Sequence, residues 1–185
     1  MRKILKDIAE IKIGYLPRKE NESGEELRCF LLPKDIVNAE FSLDKAQKIC
    51  ISNHSKFSIQ TGEILLSSRG KFYAIVVTSK EEGCIASSLF WRIIIKDTSK
   101  ILPTYLCAYF NSREGQKKLS SISACSTTNA ITKSDLENMV IPLPSLEKQK
   151  SLGKLYLEFN KMKRLFAKKI DLTNKLINSK FKKIK

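Results

Sequence analysis

The stretch IPLPSLEKQKSLGKLYLEFNKMKRLFAKKIDLTNKLINSKFKKIK, residues 141–185, decides how the rest of the chain is organised. Pro142 and Pro144 enforce an extended approach, and Ser145 is a good helix N-cap. Three residues on stands Lys148, where a full capping box has Glu or Gln. Beyond Pro144 there is no proline and a single glycine, Gly153. The run predicts one helix of about 40 residues, roughly 60 Å long at 1.5 Å per residue. Globular helices are far shorter, so this one requires a surface to lie against.

Its apolar row predicts the kind of surface. Phe159, Met162, Phe166, Ile170, Thr173, Ile177, Phe181 and Ile184 follow one another at helical steps of three and four. Leu155 extends the row backwards, and Leu152, Leu165, Leu172 and Leu176 widen it. A 3-4-4 step is an 11-residue period, which predicts a straight or slightly right-handed pairing. The row from Leu155 to Phe181 is therefore the candidate dimerisation face. Its polar member, Thr173, suits a residue that fixes register. The remaining faces are basic: residues 145–185 hold 13 Lys and Arg against 3 Asp and Glu, +10 of a total +15. Three readings stay open for the helix alone. It packs on its own domain, it pairs with another long helix, or it lies on an anionic membrane surface.

The 144 residues before the helix are enough to bury a normal core. Strand patterns dominate the first part of the chain and helical patterns follow, which predicts an α+β fold rather than a βαβ repeat. The expected division is a target domain over 1–144, a mixed sheet with short helices, and one long coiled-coil-type helix over 145–185. Residues 4–13 mix helical and strand periods and end at Gly14. Residues 15–26 read as a polar loop, and Leu27 to Leu32 as a strand stopped by Pro33. Ser42 is a candidate cap for a helical turn, and Lys48 to Ile51 a candidate strand. Ile64 to Ser68 and Phe72 to Thr78 form two strands around Arg69-Gly70-Lys71, a predicted hairpin. Leu89 to Ile95 reads as a long buried strand. Pro103 starts a helix that Asn111-Ser112 breaks before a further turn over 114–119. Residues 120–130 read as a loop, and Ser134-x-x-Glu137 as a capping box for a short helix.

Composition excludes several chemistries. Five widely spaced cysteines, without C-x-x-C, predict reduced thiols and a cytoplasmic protein. His54 is the single histidine and sits in a polar run, so histidine-based catalysis and metal centres are unsupported. Neither a phosphate-binding loop nor a dinucleotide fingerprint nor a nucleophile elbow is present. Glu10-Ile11-Lys12 has the spacing of a metal-dependent nuclease without a partner acid. No catalytic residue, metal or cofactor is expected. No run of about 18 apolar residues suggests a membrane span, and the first residues lack the apolar core of a signal peptide. A net charge of +15 and a pI near 9.7 point to a polyanion, with nucleic acid the leading partner and a membrane surface the weaker alternative. The candidate contact residues lie on loops: Arg18 and Lys19, then Arg69, Lys71 and Tyr73 around the hairpin glycine, then Thr127, Thr128 and Asn129. Arg and Asn are able to read base edges, whereas Lys, Ser and Thr more often hold phosphate. Each is equally at home as a solvated turn residue, and Asn129 fits turn chemistry.

Four ordered segments carry a resemblance. They are FSIQTGEILLSSRGKFYAIVV (57–77), GCIASSLFWRIII (83–95), ILPTYLCAYFNSREGQKKL (101–119) and TTNAITKSDLENMVIPLPSLEKQKSLGKL (127–155). Together they resemble the DNA specificity (S) subunit of type I restriction-modification systems. The resemblance implies a target recognition domain and a long spacer helix. It implies double-stranded DNA, a methyltransferase subunit and, through the complex, a restriction subunit as partners. Most members hold two such units whose helices pair antiparallel. One unit here implies a half-subunit that forms a homodimer or pairs with another S chain, and a two-fold protein reads a two-fold site with a fixed gap. Gly62, Glu63, Gly70 and Pro142 match structural positions of the family and imply no contacts. A second reading is an autonomous DNA-binding regulator or a decoy S-like subunit; a third, without an acid cluster to support it, is a small nuclease.

Overall fold

A computed structural model describes residues 1–17, 26–51, 56–124 and 129–182. The mixed periodicity at the N-terminus resolves into three elements: β1 (Arg2–Ile4), α1 (Leu5–Ile8) and β2 (Ala9–Ile13). Leu5 and Ile8 point inward from the single helical turn. Ala9 and Ile11 then alternate with exposed Glu10 and Lys12, as a half-buried strand requires. The chain continues through β3 (Leu27–Leu31), a two-residue hairpin of β4 (Ile36–Val37) and β5 (Glu40–Phe41), and β6 (Gln47–Cys50). Then come β7 (Ile64–Ser67), β8 (Ala74–Val76), β9 (Ile85–Ala86) and β10 (Phe90–Ile95). The helices α2 (Pro103–Asn111), α3 (Arg113–Ala124) and α4 (Lys133–Glu137) precede β11 (Val140–Pro142) and α5 (Leu146–Lys182).

The main sheet runs β2-β10-β7-β8, antiparallel throughout. Successive β7 side chains enter two different cores. Ile64 and Leu66 join Ile93, Leu106 and Phe110 beneath α2, while Leu65 joins Leu31, Ile75 and Phe90 on the other face. This explains why Ile64-Leu65-Leu66 is a continuous apolar run: the strand is buried on both sides. A second sheet, β6-β3-β9, includes a parallel pairing with Phe30 opposite Ile85. β1 pairs β11, Lys3 opposite Ile141, so the two ends of the domain are tied together just before the long helix. The α+β class with a mixed set of strands and one long terminal helix is the architecture observed.

One charged pair sits inside this frame. Arg92 on β10 donates to both carboxylate oxygens of Glu63, each at 2.9 Å, and to the carbonyls of Phe57 and Ser58. Both side chains are under a tenth exposed. Glu63 also accepts from the Gln60 N–H at 3.0 Å. The pair fastens the loop before β7 to the sheet.

Three local expectations are corrected. The cap of α4 is Thr132, whose Oγ1 accepts from the Asp135 N–H, and not Ser134. The better-looking S-x-x-E box lies inside the first turn of that helix. α3 runs on to Ala124, through residues that read as loop, because Ser123 is buried and Ile122 packs on the core. The strand expected over 72–78 narrows to Ala74–Val76. There Ser67 Oγ donates to the Lys71 carbonyl and accepts from the Tyr73 N–H, which holds 71–73 in the turn.

α5 begins as its proline pair predicts, with the Lys148 N–H donating to Ser145 Oγ at 3.4 Å. Its first half lies on the domain, but not through the apolar row. The docked stripe is Gln149, Gly153, Tyr156 and Asn160, at steps of four, three and four. Gln149 accepts from the Leu102 N–H and donates to the carbonyls of Lys100 and Pro144. A Cβ on Gly153 would stand 2.7 Å from Thr104 Oγ1, so glycine lets α5 and α2 approach closely. Arg164 reaches Glu40 at 3.1 Å, farther along the helix. The apolar row is left outside: Leu155, Phe159, Met162, Phe166, Ile170, Ile177 and Phe181 are each about half exposed or more. Ile184 lies outside the described residues.

Candidate nucleic-acid interface

The hairpin between β7 and β8 is built around Ser67, fully buried at its base. Gly70 sits at φ +69°, a backbone region open to glycine, and the turn throws Arg69 and Lys71 into solvent. Residues 129–131 run alongside. Arg69 bridges Ala130, the Ile131 N–H donates to the Ser68 carbonyl, and Trp91 Nε1 donates to the Ile131 carbonyl at 2.9 Å. Exposed Asn129, at φ +49°, therefore comes beside Arg69. Positions sixty residues apart in sequence share one edge. Arg18, Lys19, Thr127 and Thr128 lie outside the described residues, as do His54 and Cys125.

Tyr73 is placed differently. It is half-buried against α5, in hydrogen-bond contact with Tyr156. Asn111 joins the same cluster: its Nδ2 donates to the Ala74 carbonyl at 2.7 Å and to Tyr156 Oη at 2.8 Å, and its Oδ1 accepts from the Ala74 N–H. One amide thus links the hairpin, α2 and α5. Burial pushes the Tyr73 and Tyr156 phenols up, and pushes the Cys107 thiol beneath them up to about 12. The cluster is neutral at ordinary pH and acts as a fixed hydrogen-bonded joint.

Two hollows line up along the outer side of α5 and share Lys71, Tyr73 and Lys163. The first, about 780 Å³, is a largely apolar groove between Tyr105 and Tyr109 of α2 and Leu152, Leu155 and Phe159 of α5. The second, about 710 Å³, is cationic at its mouth. Lys34, Arg69 and Lys71 face Lys163, Phe166 and Ile170 across it. Lys34 and Lys163 complete a basic rim that loop-by-loop sequence reading missed. Neither residue signals itself in the sequence, since one follows a proline turn and the other is one of many helix lysines. The rim also holds Asn38 and Ala39, both at positive φ, in the tight turn between β4 and β5. An alanine in that conformation costs roughly 1 kcal/mol.

Glu10 and Lys12 pair with each other at 3.1 Å on an exposed strand face. Among the described residues no group of three or more His, Cys, Asp or Glu is placed to hold a metal, and no helix is long and apolar enough to cross a membrane. What the arrangement offers is a basic edge with an arginine and an amide for base or phosphate contacts, beside an uncovered apolar helix.

Residues 2–180 match the family model described as the type I restriction modification DNA specificity domain. The chain belongs to this family. As a specificity domain it is 27% identical over 192 residues to the type I restriction enzyme MjaIX specificity subunit of Methanocaldococcus jannaschii. It is 25% identical over 187 residues to the putative MjaX specificity subunit of the same organism. Each match covers 97% of this chain, but 42% and 44% of the relatives. The specificity domain thus spans less than half the length of the curated relatives it matches. Its fold is shared with the HsdS subunit from Thermoanaerobacter tengcongensis (TM-score 0.64, 19% identity, 91% of this chain and 39% of that one). It is shared equally with the type I S subunit from M. genitalium (TM-score 0.62, 16% identity, 95% and 43%).

Proposed function

We propose that this chain is the DNA-recognition unit of a type I restriction-modification system, reading one half of a bipartite site. It does no chemistry of its own and directs a methyltransferase subunit and, through the complex, a restriction subunit. The observation that carries this reading is the family match, which runs unbroken through both domain and helix, over residues 2–180. The basic edge supports it: Arg69, Lys71 and Asn129, with Lys34 and Lys163 nearby, supply the residue types that hold phosphate and read base edges.

The proposed division assigns 1–144 to recognition and 145–185 to pairing and spacing, with the stripe from Gln149 to Asn160 fixing the angle between them. Pairing runs through the exposed row Leu155, Phe159, Met162, Phe166, Ile170, Thr173, Ile177 and Phe181, with a second copy or another S chain as partner. Seven of these eight side chains are large and apolar, each about half exposed or more, and a contiguous patch of that kind is the mark of an interaction surface.

Co-expression tests the reading. The tagged chain, produced with an adenine methyltransferase subunit from the same genome, is expected to bring it down and to direct methylation of a plasmid at one split motif. Binding of duplex DNA without capture of the methyltransferase would instead favour a free-standing regulator or a decoy subunit.

A further inference from the structure

β3 and β9 run parallel, with Phe30 opposite Ile85 and Leu31 opposite Ala86. One residue before this register stand two cysteines, Cys29 and Cys84. They share a face of the sheet. Leu31, Ala86 and Cys84 belong to one core with Cys29 packed against it, whereas Phe30 and Ile85 enter the core on the opposite face. The two thiols are in hydrogen-bond contact. Neighbouring strands lie about 4.8 Å apart, within the span of about 4.4–6.8 Å between Cα atoms that a disulfide joins. Among the described residues no other thiol competes for Cys29. Cys50 on β6 stands two residues past Lys48, the residue opposite Cys29. Such a diagonal is about 7–8 Å, beyond that span. Cys107 belongs to the separate core beneath α2.

The pair is asymmetric. Cys84 is buried and Cys29 is partly exposed, so an oxidant in solution reaches Cys29 first. Burial pushes the Cys84 thiol up to about 12, and the neighbouring Cys29 adds to the rise. Only the thiolate attacks, so Cys84 is a slow nucleophile at neutral pH. Once bonded it is also a poor leaving group. A bridge between the two therefore closes slowly and, once closed, opens slowly.

We propose that Cys29 and Cys84 form a site of reversible oxidation, closed to a disulfide by small-molecule disulfides of the glutathione type. The Cys29 thiolate attacks one sulfur of the oxidant, and the other half leaves as a thiolate that takes up a proton. Cys84 then loses its proton, and its sulfur attacks Cys29 Sγ and expels the second half as a thiol. The chain gives up two electrons and two protons, and one small disulfide becomes two thiols. The bridge has a reach beyond its own position, because parallel strands leave it toward the same edge. β3 runs on into Leu32, Pro33 and Lys34, and β9 into Ser87, Ser88 and Leu89. The Ser87 N–H donates to the Leu31 carbonyl at 3.0 Å, and the Leu89 carbonyl accepts from Ser68, next to Arg69. Leu32, Lys34, Arg69 and Leu89 line one hollow of about 240 Å³ on the basic edge. A covalent tie at the start of both strands thus stiffens the walls of that hollow at their far end.

Peptide mapping of the folded chain after incubation with oxidised glutathione tests the site. The expected product is a peptide pair joined through Cys29 and Cys84, with both thiols restored by dithiothreitol. Cys84→Ala is expected to stop at a glutathione adduct on Cys29, and Cys50→Ala to cross-link like the unsubstituted chain. Closure from the adduct is expected to quicken about tenfold per pH unit from neutrality upward, as the Cys84 thiolate becomes available. Thiols that stay free, an adduct that persists on Cys29 of the unsubstituted chain at alkaline pH, or a bridge from Cys29 to Cys50 would each overturn the proposal. Hydrogen exchange reads the reach of the bridge. Amides over 31–34 and 87–89 are expected to exchange more slowly in the oxidised chain, and unchanged rates there would refute the stiffening of the edge.

Discussion

Arg92 and Glu63 bury opposite charges together, and each depends on the other. Removing the carboxylate strands a guanidinium where water cannot reach it. Glu63→Ala is therefore expected to destabilise the domain by about 3–5 kcal/mol, read as a fall in the urea midpoint. A change below about 1 kcal/mol would mean the pair is not buried as described. Glu63 was visible in the sequence as the acid of a Gly-Glu-Ile-Leu strand start. Its partner was not, because Arg92 lies 29 residues on inside an apolar run, where nothing local marks the contact. The joint of Asn111, Tyr156 and Tyr73 was hidden for a similar reason. Polar side chains on a helix read as solvated until a second element covers them. Only the 4-3-4 spacing of Gln149, Gly153, Tyr156 and Asn160 hinted that they share a face. Arg69, Lys71 and Asn129 were legible as exposed turn residues, but their convergence depends on the Arg69–Ala130 bridge, which no local pattern announces.

At the scale of elements, α5 rests on the domain along one stripe and leaves its apolar row exposed. Length, start and apolar row were all readable from spacing and the proline pair. The docking side was not, because it relies on a small residue and side-chain amides rather than on apolar area. Gly153 leaves no room for a side chain, since a Cβ there would stand 2.7 Å from Thr104 Oγ1 of α2. Gly153→Leu is expected to push the helices apart and cost about 1–3 kcal/mol, against the gain of up to about 1 kcal/mol that leaves glycine's poor helix propensity behind. The measurement is again the denaturation midpoint; an unchanged or higher value would mean the helix does not rest on Thr104. α3 illustrates the limit of local propensity. Residues 120–124 are serine-rich and resemble a loop, yet burial of Ser123 and contact by Ile122 carry the helix through them. α4 shows the reverse: two candidate caps stand two residues apart, and the domain uses the first.

Across the whole molecule, a basic edge and an uncovered apolar seam lie side by side. They meet in the hollow where Lys34, Arg69 and Lys71 face Lys163, Phe166 and Ile170. A partner helix on the seam would thus sit against the same wall that bears the proposed DNA contacts, which couples half-site reading to the distance between two units. The ordered sequence segments made the family legible before any geometry was known, because each preserves a structural need: a turn glycine, a paired acid, a proline start. The bases read are a matter of side-chain placement and are not legible in the same way. The central claim, that this chain chooses where a methyltransferase acts, is tested most directly by a genome-wide map of modified bases with the gene present and deleted. The account predicts that one split motif of fixed gap loses its methylation on deletion while all others persist. An unchanged map would contradict it.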